Sequence, residues 1–374
     1  MTVAEARRQF PHTWTDMIYL NHAAISPMSF RVREAVANYM ERRSLKDIES
    51  FPMAPRMANQ VKVMLANRLG TTADRLAFVL NTSEGLSLLT EGLQWNQGDR
   101  IALYRYEFPT NVYPFLNQQR KGVVVDLLEP ADAKMTVEFL RTAIKPGTKL
   151  LSLSAVQFLY AYRADLEAIG AFCKEQNIIF CVDAIQAFPY LPIDVERSQI
   201  DFLSCGAHKW LLAPEGVAFI YVSKEMQSLI HQSSMGWTTV KNAMNPFDFD
   251  LDRIRDDASR YENGTMNYPA IAGLKASLEF IEEFGYKEAE RRTVMLSGMI
   301  VDECYKHGVD VLTSSNPVER GGIAAINIDK AESVFERLEK ASITAALRAA
   351  KIRFSPYFYT TEEEIKKAMS VLFE

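Results

Sequence analysis

One carboxylate and one lysine in the 374 residues stand where a reaction could use both. Asp183 closes the apolar run Ile178 to Val182, and Lys209 follows a second run, Phe202 to Cys205, with His208 beside it. Short unbroken apolar runs bounded by turn residues read as strands buried on both faces of a sheet. In open α/β sheets, ligands sit beyond the carboxyl ends of the strands. The amine and the carboxylate are therefore expected to look into one crevice. An isolated Asp or Lys is ordinarily a turn cap or a solvated side chain, so the conjunction carries the chemistry. It suits pyridoxal 5′-phosphate, which needs a lysine for its aldehyde and an acid to keep its pyridine nitrogen protonated as an electron sink. Lys209 would form the Schiff base, Asp183 would hold the ring nitrogen, and Gln186 would reach the ring hydroxyl.

The elements that must position these groups alternate along the chain. Strands are expected over Arg75 to Leu80, Ile101 to Tyr104, Gly122 to Leu127, Lys149 to Ser154 and Val217 to Val222, with helices between them. Asp165 should cap a helix running to Gln176, with Ala168, Ile169 and Phe172 on its buried face. Strand and helix in alternation imply a mainly parallel sheet covered by helices. Asn81-Thr82-Ser83-Glu84-Gly85 opens a helix, and a helix start offers free amides and a favourable dipole to an anion such as a phosphate. After Ser233 to Thr239, an irregular stretch passes Asn245 and Pro246 to Asp257. The character then changes to long helices, Ala270 to Glu283 and Glu288 to His307, with short strands near Val309 and Ile323 and a helix from Ala331 to Ala341.

"VDAIQ" and "IDVERSQIDFLSCGAHKWLLAPEG", together with "NTSEG" and "KIRFSPYFYTTEEEIKKAMSVLF", resemble the class V aminotransferases of the aspartate aminotransferase fold type. Cysteine desulfurases, kynureninase and isopenicillin N epimerase are in that family, and the likeness runs nearly the whole length. It implies fold type I of the pyridoxal-phosphate-dependent transferases, with a large domain over 18–255 and a small α+β domain from 1–17 and 256–374. Thr82 and Ser83 would take the phosphate. Phe108 would stack on the ring where desulfurases generally carry histidine, and a phenylalanine neither donates nor accepts a proton. His208 would bridge ring, phosphate or substrate, while Gly206 stands where many relatives have serine. Gln157 lies where relatives often have an asparagine touching cofactor or substrate, and His22 and Ala23 border the pocket. Thr265 would cross a homodimer interface to the neighbouring phosphate. Arg353 would clamp the substrate's α-carboxylate, for which a planar guanidinium is suited.

A net charge of −5 gives no electrostatic footprint for nucleic acid. No apolar run approaches membrane-spanning length, and the N-terminus lacks a signal-peptide core. Cys173, Cys181, Cys205 and Cys304 show no paired spacing, which suits reduced thiols in a cytoplasm. The five histidines form no metal-ligand spacing. The expectation is a cytoplasmic, homodimeric enzyme acting on an amino acid, foremost an aminotransferase. Epimerisation, β-elimination and C–S cleavage are the enzymatic alternatives, and a ligand-binding module without turnover is the non-enzymatic one. A cysteine desulfurase needs a thiolate on a loop ahead of the clamping arginine, and residues 318–353 contain no cysteine.

Overall fold

Short apolar strands set the frame. The computed structural model describes residues 1–50, 53–241, 245, 247 and 249–374, so the irregular stretch leading to Asp257 falls partly outside them. After a two-residue strand, β1 (Ile18–Tyr19), the large sheet is built from seven strands. They are β2 (Leu76–Val79), β3 (Arg100–Tyr104), β4 (Val124–Leu128), β5 (Thr148–Ser154), β6 (Ile179–Asp183), β7 (Phe202–Gly206) and β8 (Ala218–Val222). Their order across the sheet is β2-β8-β7-β6-β5-β3-β4. β3 to β7 run parallel, whereas β8 is antiparallel to both β7 and β2. The chain after Lys209 turns back at Pro214-Glu215-Gly216 with no covering helix, and a parallel return would have required a crossover. The double reversal leaves β2 pointing with β7. The carboxyl ends of β2, β3, β5, β6 and β7 thus open along one edge.

The central strands are apolar on both sides because helices cover both faces. Phe180, Cys181 and Val182 in β6, and Phe202, Leu203 and Cys205 in β7, are fully buried. The crossover helix Leu166–Glu175 starts at Asp165, whose side chain accepts the Ala168 amide at 3.1 Å. Its buried stripe is Ile169, Phe172 and Cys173; Ala168, expected on that face, is exposed because it sits one position round the helix. The helix Thr82–Gly92 lies so close to the sheet that a Cβ on Gly85 would sit 2.6 Å from Ile220 Cγ2 and closer still to Ser204 Oγ.

The C-terminal part carries β9 (Asp310–Val311), β10 (Ala324–Asn327), β11 (Ile343–Thr344), β12 (Ala346–Arg348) and β13 (Lys351–Phe354). Four of these form an antiparallel sheet in the order β12-β13-β10-β9, while β1 pairs in parallel with β11. Leu347, Ile352, Phe354 and Ile326 face a core built with the helices Tyr286–Lys306, Ala331–Lys340 and Glu362–Phe373. The N-terminal arm is bound into this part. Arg7 grips Glu364 with both terminal nitrogens, at 2.8 and 2.9 Å, and Phe10 stacks on Tyr359 with centroids 3.8 Å apart. The helix Tyr268–Phe284, by contrast, packs on the helices Phe30–Leu45 and Ala54–Leu69 beside the large sheet. No helix among the described residues is long and apolar enough to cross a membrane.

Candidate active site

Five strand ends deliver the candidate residues to one edge. Asp183 is the last residue of β6, in register with Ser154 of β5 and Ser204 of β7. Its Oδ1 accepts the Ile185 amide at 2.9 Å, which aims the carboxyl out of the strand. Burial pushes its pKa up to about 6, with the Ile185 hydrogen bond and the Lys209 charge pulling the other way. Lys209, three residues past β7, is 9% exposed. Burial lowers its pKa to about 8; Asp183 opposes that effect and Arg353 adds to it. A buried lysine brought toward neutrality is a usable nucleophile and base. Its Nζ lies 5.7 Å from the centre of the Phe108 ring, which in turn packs edge-on against Phe158 at 5.4 Å.

Thr82 opens its helix just after β2 and is buried, yet its hydroxyl has no hydrogen-bond partner. Buried hydroxyls are ordinarily satisfied, so this orphan marks a place for a ligand atom. A Cβ built on Gly206 would lie 3.1 Å from Thr82 Oγ1 and 3.4 Å from His208 Cε1, so the three residues enclose a small hollow. The amides of the helix's first turn lack intrahelical acceptors and add positive potential there. Ser83, the neighbour of Thr82, shares a hydrogen bond with Thr110 Oγ1 at 3.0 Å. Burial and the adjoining Lys209 charge lower the pKa of His208.

Arg353 comes from β13 in the C-terminal part. It is 2% exposed, its Nη1 donates to Phe158 O at 2.9 Å, and its Nε has no partner. Among the described residues no carboxylate pairs with it. Burial lowers its pKa to about 10, leaving it charged at neutral pH. A buried guanidinium without a counter-ion carries a large desolvation cost, and an anionic ligand would offset it.

Other candidates are held in different ways. Gln186 donates to Ala23 O at 2.9 Å and accepts from Trp210 Nε1 at 2.8 Å, so it braces the loop after β6 against the N-terminal segment. Gln157 accepts the amides of Leu159 and Tyr160 and donates to Tyr106 O, which makes it the keystone of the turn carrying Phe158. His22 is fully buried, with Nδ1 2.9 Å from Ser355 O and Nε2 2.7 Å from Tyr359 Oη. Burial takes its pKa down to about 3. Expected at the pocket border, it instead locks the N-terminal segment to the C-terminal part, with neither ring nitrogen left for a substrate. Thr265 is exposed in the loop before the helix Tyr268–Phe284.

Glu107 escaped the sequence reading. Its carboxyl is buried after β3, accepts the Ser154 amide at 2.6 Å and the Ser154 hydroxyl, and has a pKa raised to about 7, chiefly by burial. The charge of Asp183, on the far side of β5, contributes to that rise. The available signal was a lone carboxylate amid aromatics in "YEFPTN".

Comparison with known proteins agrees with this geometry. The sequence pattern of the family described as aminotransferase class-V matches residues 18–367. A probable cysteine desulfurase of Pyrococcus abyssi is 27% identical over 77% of this chain and 72% of its own. An uncharacterized aminotransferase of Bacillus subtilis, YcbU, is 25% identical over 81% and 80%. Among solved structures, the apo cysteine desulfurase of Thermococcus onnurineus NA1 superposes with a TM-score of 0.89 at 23% identity, covering 98% of this chain and 96% of that one. The cystine C–S lyase C-DES superposes with a TM-score of 0.88 at 22% identity, covering 97% and 99%.

The cofactor of this family, pyridoxal 5′-phosphate, matches the donor set. There is an amine for an aldehyde at Lys209, a carboxylate for a ring nitrogen at Asp183, and an unpartnered hydroxyl beside a helix start at Thr82. These correspondences place the chain in the aminotransferase class-V family, as a pyridoxal-phosphate-dependent enzyme of fold type I.

Proposed function

We propose that the protein breaks a carbon–sulfur bond of a sulfur-bearing amino acid by β-elimination, without forming a persulfide on a thiol of its own. The observation that carries this reading is the placement of the four cysteines. Cys173, Cys181, Cys205 and Cys304 are all fully buried in helices or strands, and burial pushes every one of their thiols up. A sulfur-accepting cysteine has to be an accessible thiolate. Cys205, the one beneath Lys209, is sealed inside β7. The names of the relatives favour sulfur chemistry over plain transamination, since several of the similar curated proteins are named probable cysteine desulfurases.

In this reading Arg353 holds the α-carboxylate, and Lys209, neutral in good part above pH 8, takes the proton from Cα. The bound cofactor supplies the electron sink that makes this proton removable. The electron pair released at Cα expels the sulfur from Cβ, and water then releases pyruvate and ammonia. Phe108, next to Lys209, has no proton to give the departing sulfur. A sulfur that leaves as a stable anion, such as the persulfide from a disulfide amino acid, therefore fits better than hydrosulfide from cysteine. Thr82 and Ser83 with the helix start hold the phosphate, and Asp183 holds the ring-nitrogen proton. His208 lies over the same hollow. The active unit we propose is a homodimer in which the exposed Thr265 reaches the neighbouring site, in a cytoplasm that keeps the thiols reduced.

The test is a panel of cystine, cysteine, cystathionine and sulfur-free amino acids incubated with the cofactor-loaded enzyme. Pyruvate and a reduced-sulfur product should appear in equal amounts from the disulfide substrate. Transamination is the second reading, favoured by the same absence of a reachable thiol. It requires instead that an amino acid convert the bound cofactor to its pyridoxamine form without pyruvate release, and that result would replace elimination. Cysteine turnover abolished by Cys205→Ala or Cys304→Ala would overturn both.

A further inference from the structure

A cleft of about 1170 Å³ adjoins the active site without sharing its residues. The helix Leu166–Glu175, the loop after β6, the helix Tyr286–Lys306 and residues 316–320 line it. Ala155 and Ala187 in its wall follow β5 and β6, but Thr82, Phe108, Lys209 and Arg353 do not reach it. Pockets for small ligands measure roughly 300–1,000 Å³ and are mostly apolar with a few polar groups. This cleft has the room, and Ile169, Leu191 and Val294 belong to its apolar wall.

Arg320 supplies the polar group. It lines the cleft, is 5% exposed, and among the described residues no carboxylate pairs with it. Nη1 donates to Ser314 O at 3.1 Å and to Ser315 O at 2.9 Å, which fixes the plane of the guanidinium. Nε has no partner, and no hydrogen bond among the described residues leaves Nη2. Those two nitrogens form the side of the fork that meets both oxygens of a carboxylate. Gly298 makes room for it, since a Cβ there would sit 2.6 Å from Nη2. Burial works against the charge, and Asp302 is near enough to support it but makes no ion pair. Tyr162 stands opposite Arg320 in an antiparallel bridge and lines the same cleft, so an aromatic side chain shares its face.

The acids of the cleft are engaged elsewhere. Glu319 pairs with Lys134 at 2.6 Å, Glu290 with Arg163 at 3.5 Å, and Glu167 with Arg197 at 2.8 Å. Asp165 and Asp194 accept the amides of Ala168 and Arg197, and Glu138 stands exposed in the first turn of the helix Val137–Ala143. A buried guanidinium left without a counter-ion is costly, and a ligand that brings one offsets that cost.

We propose that this cleft is a second ligand site, which takes a carboxylate carried on an apolar body. The carboxylate meets the Nε–Nη2 edge of Arg320, and the body lies on the wall that Tyr162 and Val294 help to form. The assignment is independent of the reaction at Lys209.

Calorimetry on the cofactor-loaded enzyme carrying Arg353→Gln tests it, because Arg320 is then the one buried arginine among the described residues. Hexanoate and phenylacetate should bind about tenfold more tightly than hexanamide and phenylacetamide, as a charge-assisted pair requires. They should also exceed acetate, which has no apolar body. Adding Arg320→Gln should bring the acids down to the amides, and Val294→Trp should weaken hexanoate while leaving the cofactor's absorbance unchanged. Loss of the Ser314 and Ser315 contacts is a separate consequence of Arg320→Gln, so the site is also mapped in the parent enzyme. There, hexanoate should slow amide hydrogen exchange over residues 313–322. Acids and amides binding alike, affinity untouched by Val294→Trp, or protection confined to the β12–β13 hairpin overturns the proposal. None of these ligands reacts, so failure of the sulfur chemistry leaves the result intact.

Discussion

Replacing Asp183 by asparagine should stabilise the cofactor-free protein at neutral pH while removing most of its activity. The carboxyl is 2% exposed, and burial raises its pKa from an ordinary 3.8 to about 6. A folded-state pKa above the unfolded one means stability that is fully present below the unfolded value and is lost as pH rises through the folded value. The interval from 3.8 to about 6 corresponds to a loss of ~3 kcal/mol, spread between about pH 4 and pH 6 and complete by pH 7. Asparagine never ionises, and its Oδ1 can accept the Ile185 amide in the same place. Apart from Glu107 and Lys209, whose titration the Asp183 charge itself shifts, the other titrating groups are common to both proteins and cancel in the difference. Denaturant unfolding of the two cofactor-free proteins from pH 4 to pH 8 should therefore show the variant gaining on the parent across that window, then a plateau. Adding pyridoxal phosphate should reverse the order, because a protonated ring nitrogen gives the buried carboxylate its counter-charge. A stability difference that does not vary with pH would refute the reasoning, for then the folded protein does not hold Asp183 at a cost.

Lys209→Ala should keep pyridoxal phosphate non-covalently and lose turnover, with borohydride no longer fixing the cofactor to the chain; a label on any other lysine would displace this assignment. Thr82→Val removes the one orphaned hydroxyl in the hollow and should weaken cofactor binding by ~1.5–3 kcal/mol, about tenfold to a hundredfold, while leaving unfolding of the cofactor-free protein nearly unchanged. Mixing inactive Lys209→Ala protomers with Thr265→Ala protomers should restore activity through the hybrid site in which both residues are native. Sedimentation of an active monomer would exclude that arrangement.

The strongest sequence signals were those in which a polar residue interrupts an apolar run. Asp183 and Lys209 were legible because strands buried on both faces end abruptly, and Thr82 because a helix start is a local pattern. What stayed hidden depended on neighbours distant in the chain. Glu107 is held by Ser154, and that pairing follows only from β3 lying beside β5. His22 has the chemistry of a site residue, but its ring nitrogens go to Ser355 and Tyr359, more than three hundred positions away. Gln186 and Gln157 stand where a ligand contact was expected, and their amides turn out to hold loops together. The reversal of β8 was equally unreadable, because an apolar strand looks the same in either direction.

The pairing of β1 with β11, and of Arg7 with Glu364, has a bearing on how the molecule is made. The ribosome releases the first nineteen residues long before Ile343 and Glu364 exist, while β2 to β8 emerge as one continuous run. Domains fold as units during synthesis. The contacts of the arm with Ile343, Tyr359 and Glu364 must therefore wait until those residues leave the exit tunnel. Closure of the C-terminal part over the edge of the large sheet, which brings Arg353 to Phe158, is then the last folding event. A nascent chain arrested shortly before Arg353 should hold the cofactor-side half of the site without the carboxylate clamp.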